Sequence, residues 1–197
     1  MRLTTAIALA LRARRIDVLA YCLLGLVGGV ILIPQQVRVP GRSFDEVLVP
    51  LAPMVVALGY SVTDGSLGRL FLEQRRRGWR LRRVCLFVLT VLISGASGLV
   101  CAWVFVPALD LMVARNCVLF VGIVAAVGPR ADDAGAVLAV LYGVVSWIVG
   151  SRGAGRDPLW WALPLAAGND MPSWIAAMAL ASFAVIRVST TKRGTSN

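Results

Sequence analysis

The residues whose types and spacing come nearest to chemistry are Asp64-Gly65 and Gly68-Arg69, with Gly78 following after eight residues. A carboxylate on a glycine-rich turn suits a divalent cation, but such ions take several oxygen ligands. Here one Asp stands in a stretch, residues 63–83, that holds seven arginines. The expected structure is a DG turn closing the second apolar run. Asp132-Asp133 reads as a helix cap, because adjacent residues point different ways on a helix and cannot share a metal. Asp110 and Arg115, the latter followed by Asn116, are the polar residues that interrupt the fourth apolar run. They would form an intramembrane ion pair marking a transport path if the helix starts early, or lie at the interface if it starts late; the interfacial placement is expected.

The chain contains no histidine, which excludes His-based acid–base catalysis, Ser–His triads and His-ligated zinc or haem. Cys22, Cys85, Cys101 and Cys117 form no CxxC pair and read as small buried hydrophobes. Ser94, Ser97 and Ser146 have no visible base partner, and no GxxxxGK loop is present to bind ATP. No catalytic residue, metal ligand or cofactor is therefore assigned, and the chain is read as a non-enzyme.

The elements that must position these residues follow from composition. Of 197 residues 58% are hydrophobic and 15% charged, with mean hydropathy +0.80. Soluble domains average about 45–50% and about 25%, so the chain is shifted toward lipid on both counts. The expected architecture is all-α: a single integral membrane domain of six transmembrane helices behind an N-terminal interfacial helix over residues 1–17, where Leu3, Ile7 and Leu11 recur before Arg12, Arg14 and Arg15. The apolar runs place spans at about 18–33, 47–62, 84–106, 109–127, 134–149 and 174–188. Residues 63–83 form an Arg-rich cytoplasmic loop and 150–173 an outer loop.

Charge sets the orientation. Nineteen of the twenty basic residues are arginine, and the net charge is +10. A basic chain suggests nucleic acid when soluble, but in a membrane protein the arginines face cytoplasm and anionic headgroups. With the amino terminus inside, fifteen basic residues fall on the inner side and five on the outer. That places both termini in the cytoplasm and the protein in the plasma membrane. Trp103, Trp147, Trp160, Trp161 and Trp174 would line the outer interface, with Tyr21, Tyr60 and Trp79 at the inner one. Leu67, Leu70 and Phe71 share a helical face beside Glu73 and arginines 75, 76, 77, 80 and 82, a pattern that serves either topology or docking on a cytoplasmic partner.

Two families are resembled. Asp64-Gly65-x-x-Gly68-Arg69 resembles part of the signature of the CDP-alcohol phosphotransferases, which implies four metal-binding aspartates; the other three positions hold Ser61, Arg82 and Leu86. The whole layout resembles the membrane subunit of ABC-2-type ABC transporters. Residues 3–15 match its leading amphipathic helix, SLGRLFLEQRRRGWR its cytoplasmic coupling helix, and DPLWWALPLAAGNDMPSW its outer re-entrant helix pair. The segments FLEQRRRGWRLRRVCL and ARNCVLFVGIVAAVG are similar to small actinobacterial permease-like subunits, through Leu72-Glu73 and Arg115-Asn116. The resemblance implies an export permease that pairs with a second copy or a similar subunit and is driven by a separate ATP-hydrolysing subunit. That subunit would dock on Leu70, Phe71, Leu72, Glu73, Arg75, Arg76 and Arg77, while Trp160, Trp161 and Pro164 close the outer mouth. The alternative function is a small accessory or structural membrane protein, such as an assembly or immunity factor.

Overall fold

A computed structural model describes residues 16–32, 38–39, 42–43, 50–72, 79–105, 110–127, 134–150 and 158–190. Among these the chain is all-α. Its helices are α1 (Ile16–Leu32), α2 (Pro53–Leu72), α3 (Trp79–Phe105), α4 (Asp110–Val127), α5 (Ala134–Ile148) and α6 (Met171–Thr190). A 3-10 turn, Leu163–Leu165, precedes α6, and a two-residue antiparallel ladder pairs Arg38–Val39 with Arg42–Ser43.

A helix therefore occupies each of the six apolar runs, and α4 begins at Asp110, one residue from the expected start. The largest departure is α2. It opens at Pro53, a position where proline's missing N–H costs nothing, and continues to Leu72 rather than ending at Val62. Asp64 and Gly65 thus lie inside a helix and form no turn. Likewise α3 starts at Trp79, so Arg80, Arg82 and Arg83 belong to a helix and not to a loop. No separate coupling helix stands between α2 and α3 among the described residues: Leu70, Phe71 and Leu72 end α2, while Glu73, Arg75, Arg76 and Arg77 lie outside the described set. So do Asp132, Asp133 and the expected surface helix, apart from Ile16 and Asp17, which open α1.

The contacts give the helix directions. Asp64 of α2 meets Arg83 of α3 while Tyr60 meets Phe87, so α2 and α3 are antiparallel. Ser94 and Gly98 of α3 lie against Cys117 and Val113 of α4, which is again antiparallel. The chain alternates in the same way through α5, and α4 and α6 run parallel: Arg115 reaches Ser173 and Gly122 reaches Leu180. Helix α4 packs against α2, α3, α5, α6 and the 3-10 turn. Apart from Asp110, Arg115 and Asn116 near its start it carries no polar side chain but Cys117, as suits a helix packed against several others.

Close approach of backbones depends on small residues. A Cβ on Gly59 would sit 2.8 Å from Cys22 where α1 crosses α2. One on Gly135 would sit 2.9 Å from the Val124 carbonyl where α5 crosses α4. The buried faces of α5 and α6 are built from Gly135, Ala136, Ala139, Gly143 and Ser146, and from Ser173, Ala177, Ala184 and Val188. Their outward faces carry Leu138, Leu141, Trp147 and Ile148, and Ile175, Met178, Phe183 and Ile186. On these two helices the small residues face inward and the large apolar ones outward. By length and composition two helices suffice to cross a bilayer, α3 over Arg83–Val100 and α6 over Met171–Thr190. The apolar parts of α1, α4 and α5 are shorter, at Val18–Val27, Leu111–Val127 and Ala134–Ile148.

Candidate functional site: two buried polar centres

The interior of the bundle holds charge at both ends. The first centre grows from α4. Arg115 is 0% exposed and sits beside Asn116, also fully buried. Neighbouring residues on a helix diverge by about 100°, and both can point inward because α4 is covered all round. The segment after α5 supplies their partners. Its turns close through Ala162 N–H to the Leu159 carbonyl, Leu165 to Ala162 and Ala166 to Leu163, leaving further carbonyl capacity facing the bundle.

Arg115 takes that capacity. Its Nη1 donates to the Ala167 carbonyl at 2.8 Å and to Ser173 Oγ at 2.6 Å. Its Nη2 donates to the carbonyls of Leu163 at 2.8 Å and Ala166 at 2.9 Å, with Pro164 at 3.5 Å. Both Nε and Nη2 reach Asn116 Oδ1 at 3.2 Å. The Asn116 amide donates at 2.8 Å to the carbonyls of Pro164 and Pro50, which ties the segment to the turn ahead of α2. Tyr142 of α5 donates to the Trp161 carbonyl and Trp174 of α6 to the Gly168 carbonyl, each at 2.8 Å. Asp170 caps α6, its Oδ2 accepting from the Ser173 N–H at 2.9 Å. Residues 158–170 therefore form a cap over one end of the bundle, pinned by α4, α5 and α6. It holds one 3-10 turn, not the expected pair of short helices, and α6 starts at Met171 rather than Trp174.

The second centre lies eleven residues along α2 from Pro53, about 16 Å away at helical rise. Arg83 grips Asp64 with a bidentate fork, Nε to Oδ1 at 2.6 Å and Nη2 to Oδ2. Arg83 is 2% exposed. Tyr60, one turn before Asp64, is fully buried with its ring edge-on to Phe87 at 6.1 Å. Thr63 Oγ1 turns back to the Gly59 carbonyl at 2.8 Å. The pair joins the end of α2 to the start of α3.

Several expectations are corrected here. Asp64 is not a turn residue but half of a buried ion pair. Tyr60 is interior rather than interfacial. Arg115 is buried as well, and among the described residues its partners are carbonyls, Asn116 Oδ1 and Ser173 Oγ; the Asp110 side chain lies outside the described set. Of the outer-mouth residues, Trp160 is 86% exposed, Trp161 contributes its carbonyl, and Pro164 is buried within the cap. Cys117 is buried, Cys22 half-buried and Cys85 exposed, so the cysteines do not share one environment. Among the described residues no group of three or more His, Cys, Asp or Glu could hold a metal ion.

Sequence reasoning missed Arg83, Tyr142, Asp170 and Ser173. The one local signal was Asp170-x-x-Ser173 ahead of an apolar run, which is a helix-start pattern. Compared with known protein families, curated proteins and solved structures, the chain matches none.

Proposed function

We propose that this chain is a multi-pass membrane protein whose six helices cross the bilayer, and that it serves as the permease subunit of an export system driven by a separate ATPase. The observation that carries the membrane reading is the placement of polar and large apolar groups. The Asp64–Arg83 pair and the Arg115–Asn116 centre lie inside, small residues line the inner faces of α5 and α6, and large apolar side chains face outward on α3, α5 and α6, as a lipid solvent requires. Trp103 and Trp147, near the ends of α3 and α5, and Trp160 on the cap are all exposed at the same end of the bundle, an arrangement suited to a membrane interface. The segments leading into the opposite end carry most of the basic residues, which supports that end as cytoplasmic.

The permease reading is supported by how α2 and α3 are joined. A subunit pressing on the segment between Leu70 and Arg77 acts on two helices that Asp64 and Arg83 have made into one lever. Motion of that lever reaches α4, which touches α2, α3 and the cap. The bundle then has an inner handle and an outer closure connected by one central helix, the minimum for a two-state gate. The test is co-purification of the chain from its native membranes with an ATPase, and loss of that pairing in Phe71→Asp or Glu73→Lys with insertion unchanged. Absence of any ATPase with the wild-type chain refutes the permease reading.

One observation favours a second reading, an accessory or structural membrane protein. The N–H groups of Arg115 and Asn116 bond to this chain's own atoms, as expected of a rigid scaffold. Membrane localisation without an associated ATPase is the result that selects it.

A further inference from the structure

Arg83 and Arg115 are both buried, but they are satisfied in different ways. Arg83 faces a carboxylate. Arg115 touches no carboxylate among the described residues: its hydrogen bonds go to carbonyls, one amide oxygen and one hydroxyl. Asp170 acts on it only through space, and its Oδ2 is engaged by the Ser173 N–H. The first turn of α6, which contains Ser173, adds further positive potential at the same point. A guanidinium at zero exposure is thus held by neutral acceptors, whereas bonds to an ionised oxygen are about twice as strong.

The acceptors are also the part of this end with least regular structure. Residues 158–170 contain one 3-10 turn, and Ala167 and Asn169 within them are exposed. Only a few residues of backbone separate the buried guanidinium from the surroundings. We propose that Arg115, with Asn116 beside it, is an oxyanion site that the chain closes with its own carbonyls. A phosphate or carboxylate group takes the guanidinium fork, displaces the carbonyls of Leu163, Ala166 and Ala167, and frees the cap. Asn116 keeps its bond to the Pro50 carbonyl, which holds the donors in place while the cap moves. This rests on the permease reading and deepens it, because it names the ligand class of the outer closure. The oxyanion comes either from a lipid headgroup or from a free anion.

The test is amide hydrogen exchange of the purified full chain, read by mass spectrometry on peptides covering 158–170, with residues 117–126 of α4 as reference. In detergent micelles the probe is inorganic phosphate, with chloride at matched ionic strength as control. In bilayer discs it is phosphatidylglycerol, whose phosphate has no cationic partner in its headgroup, against phosphatidylcholine, whose phosphate is paired with its own choline. Replacing neutral by ionised acceptors predicts about tenfold faster exchange in the cap, with the α4 reference unchanged. A response to phosphate identifies a free anion, and a response to phosphatidylglycerol alone identifies a headgroup. In Arg115→Gln the cap exchanges fast under every condition. Arg115→Lys, which keeps the charge without the fork, still responds to phosphate from a looser starting point. No change in the wild-type cap with either probe overturns the proposal, as does an equal effect of chloride. The micelle arm needs no bilayer, so extraction of the chain from membranes by alkaline carbonate would refute the membrane reading separately.

Discussion

Breaking the Asp64–Arg83 pair on one side and then on both is the sharpest probe of this interior. The fork is bidentate, and Arg83 is 2% and Asp64 10% exposed at the side chain. Removing one partner takes the fork's counter-charge from the other inside the bundle, which costs about 3–5 kcal/mol. Replacing both by apolar residues of similar volume removes the attraction and the desolvation penalty together, and such exchanges run from neutral to about 1–4 kcal/mol stabilising. For a chain of this size each kcal/mol moves the melting temperature by about 2–4 °C. Asp64→Leu and Arg83→Met are therefore each expected to melt about 10 °C lower than wild type, and the double variant at or above it. The assay is thermal unfolding in detergent micelles, followed by loss of monodisperse protein and by circular dichroism. The coupling between the sites, read from the double-mutant cycle, should exceed about 3 kcal/mol. Single variants within about 1 kcal/mol of wild type, the range of an exposed pair, would refute the buried placement and the extension of α2 to Leu72 with it.

Other outcomes follow from the same contacts. Asn116→Leu takes the amide donor from the carbonyls of Pro50 and Pro164, leaving Pro164 only the long contact from Arg115, and removes an acceptor from Arg115, so thermal unfolding should show a loss of about 2–4 kcal/mol. Gly135→Val forces a branched side chain toward a backbone carbonyl 2.9 Å from the Cβ position, and the same assay should register at least about 1–3 kcal/mol, whereas Gly95→Ala, which meets nothing within 4 Å, should be tolerated. Brominated lipids with bromine near the headgroup should quench fluorescence in wild type, and Trp103→Leu combined with Trp160→Leu should remove a large share of that quenching. A reporter fused after Ser151 should read as outside and one after Asn197 as inside; a cytoplasmic signal after Ser151 would invert the orientation.

The positions of the six helices were readable from the chain because each is an apolar run bounded by Pro, Gly or charge. The starts of α4 and α5 fell where the runs begin, at Asp110 and Ala134. The reading failed along α2 and the start of α3, where Asp64 and Arg83 looked like the edges of a solvated loop. Hydropathy adds up over a window, and it counts a charge as a reason to stop. It carries no information about a partner nineteen residues away. The same blindness hid the partners of Arg115, since its acceptors are backbone carbonyls about fifty positions downstream.

Composition and spacing thus place the six described helices and show where the basic residues gather. Those properties are local sums over neighbouring residues. Which charges are interior is a different kind of fact. A charge can be buried only where other groups satisfy it, and here those groups come from other helices and from the cap. Only folding brings α2 to α3, and α4 to the Leu163–Leu165 turn, so only the assembled bundle could show that its two most polar centres lie inside it.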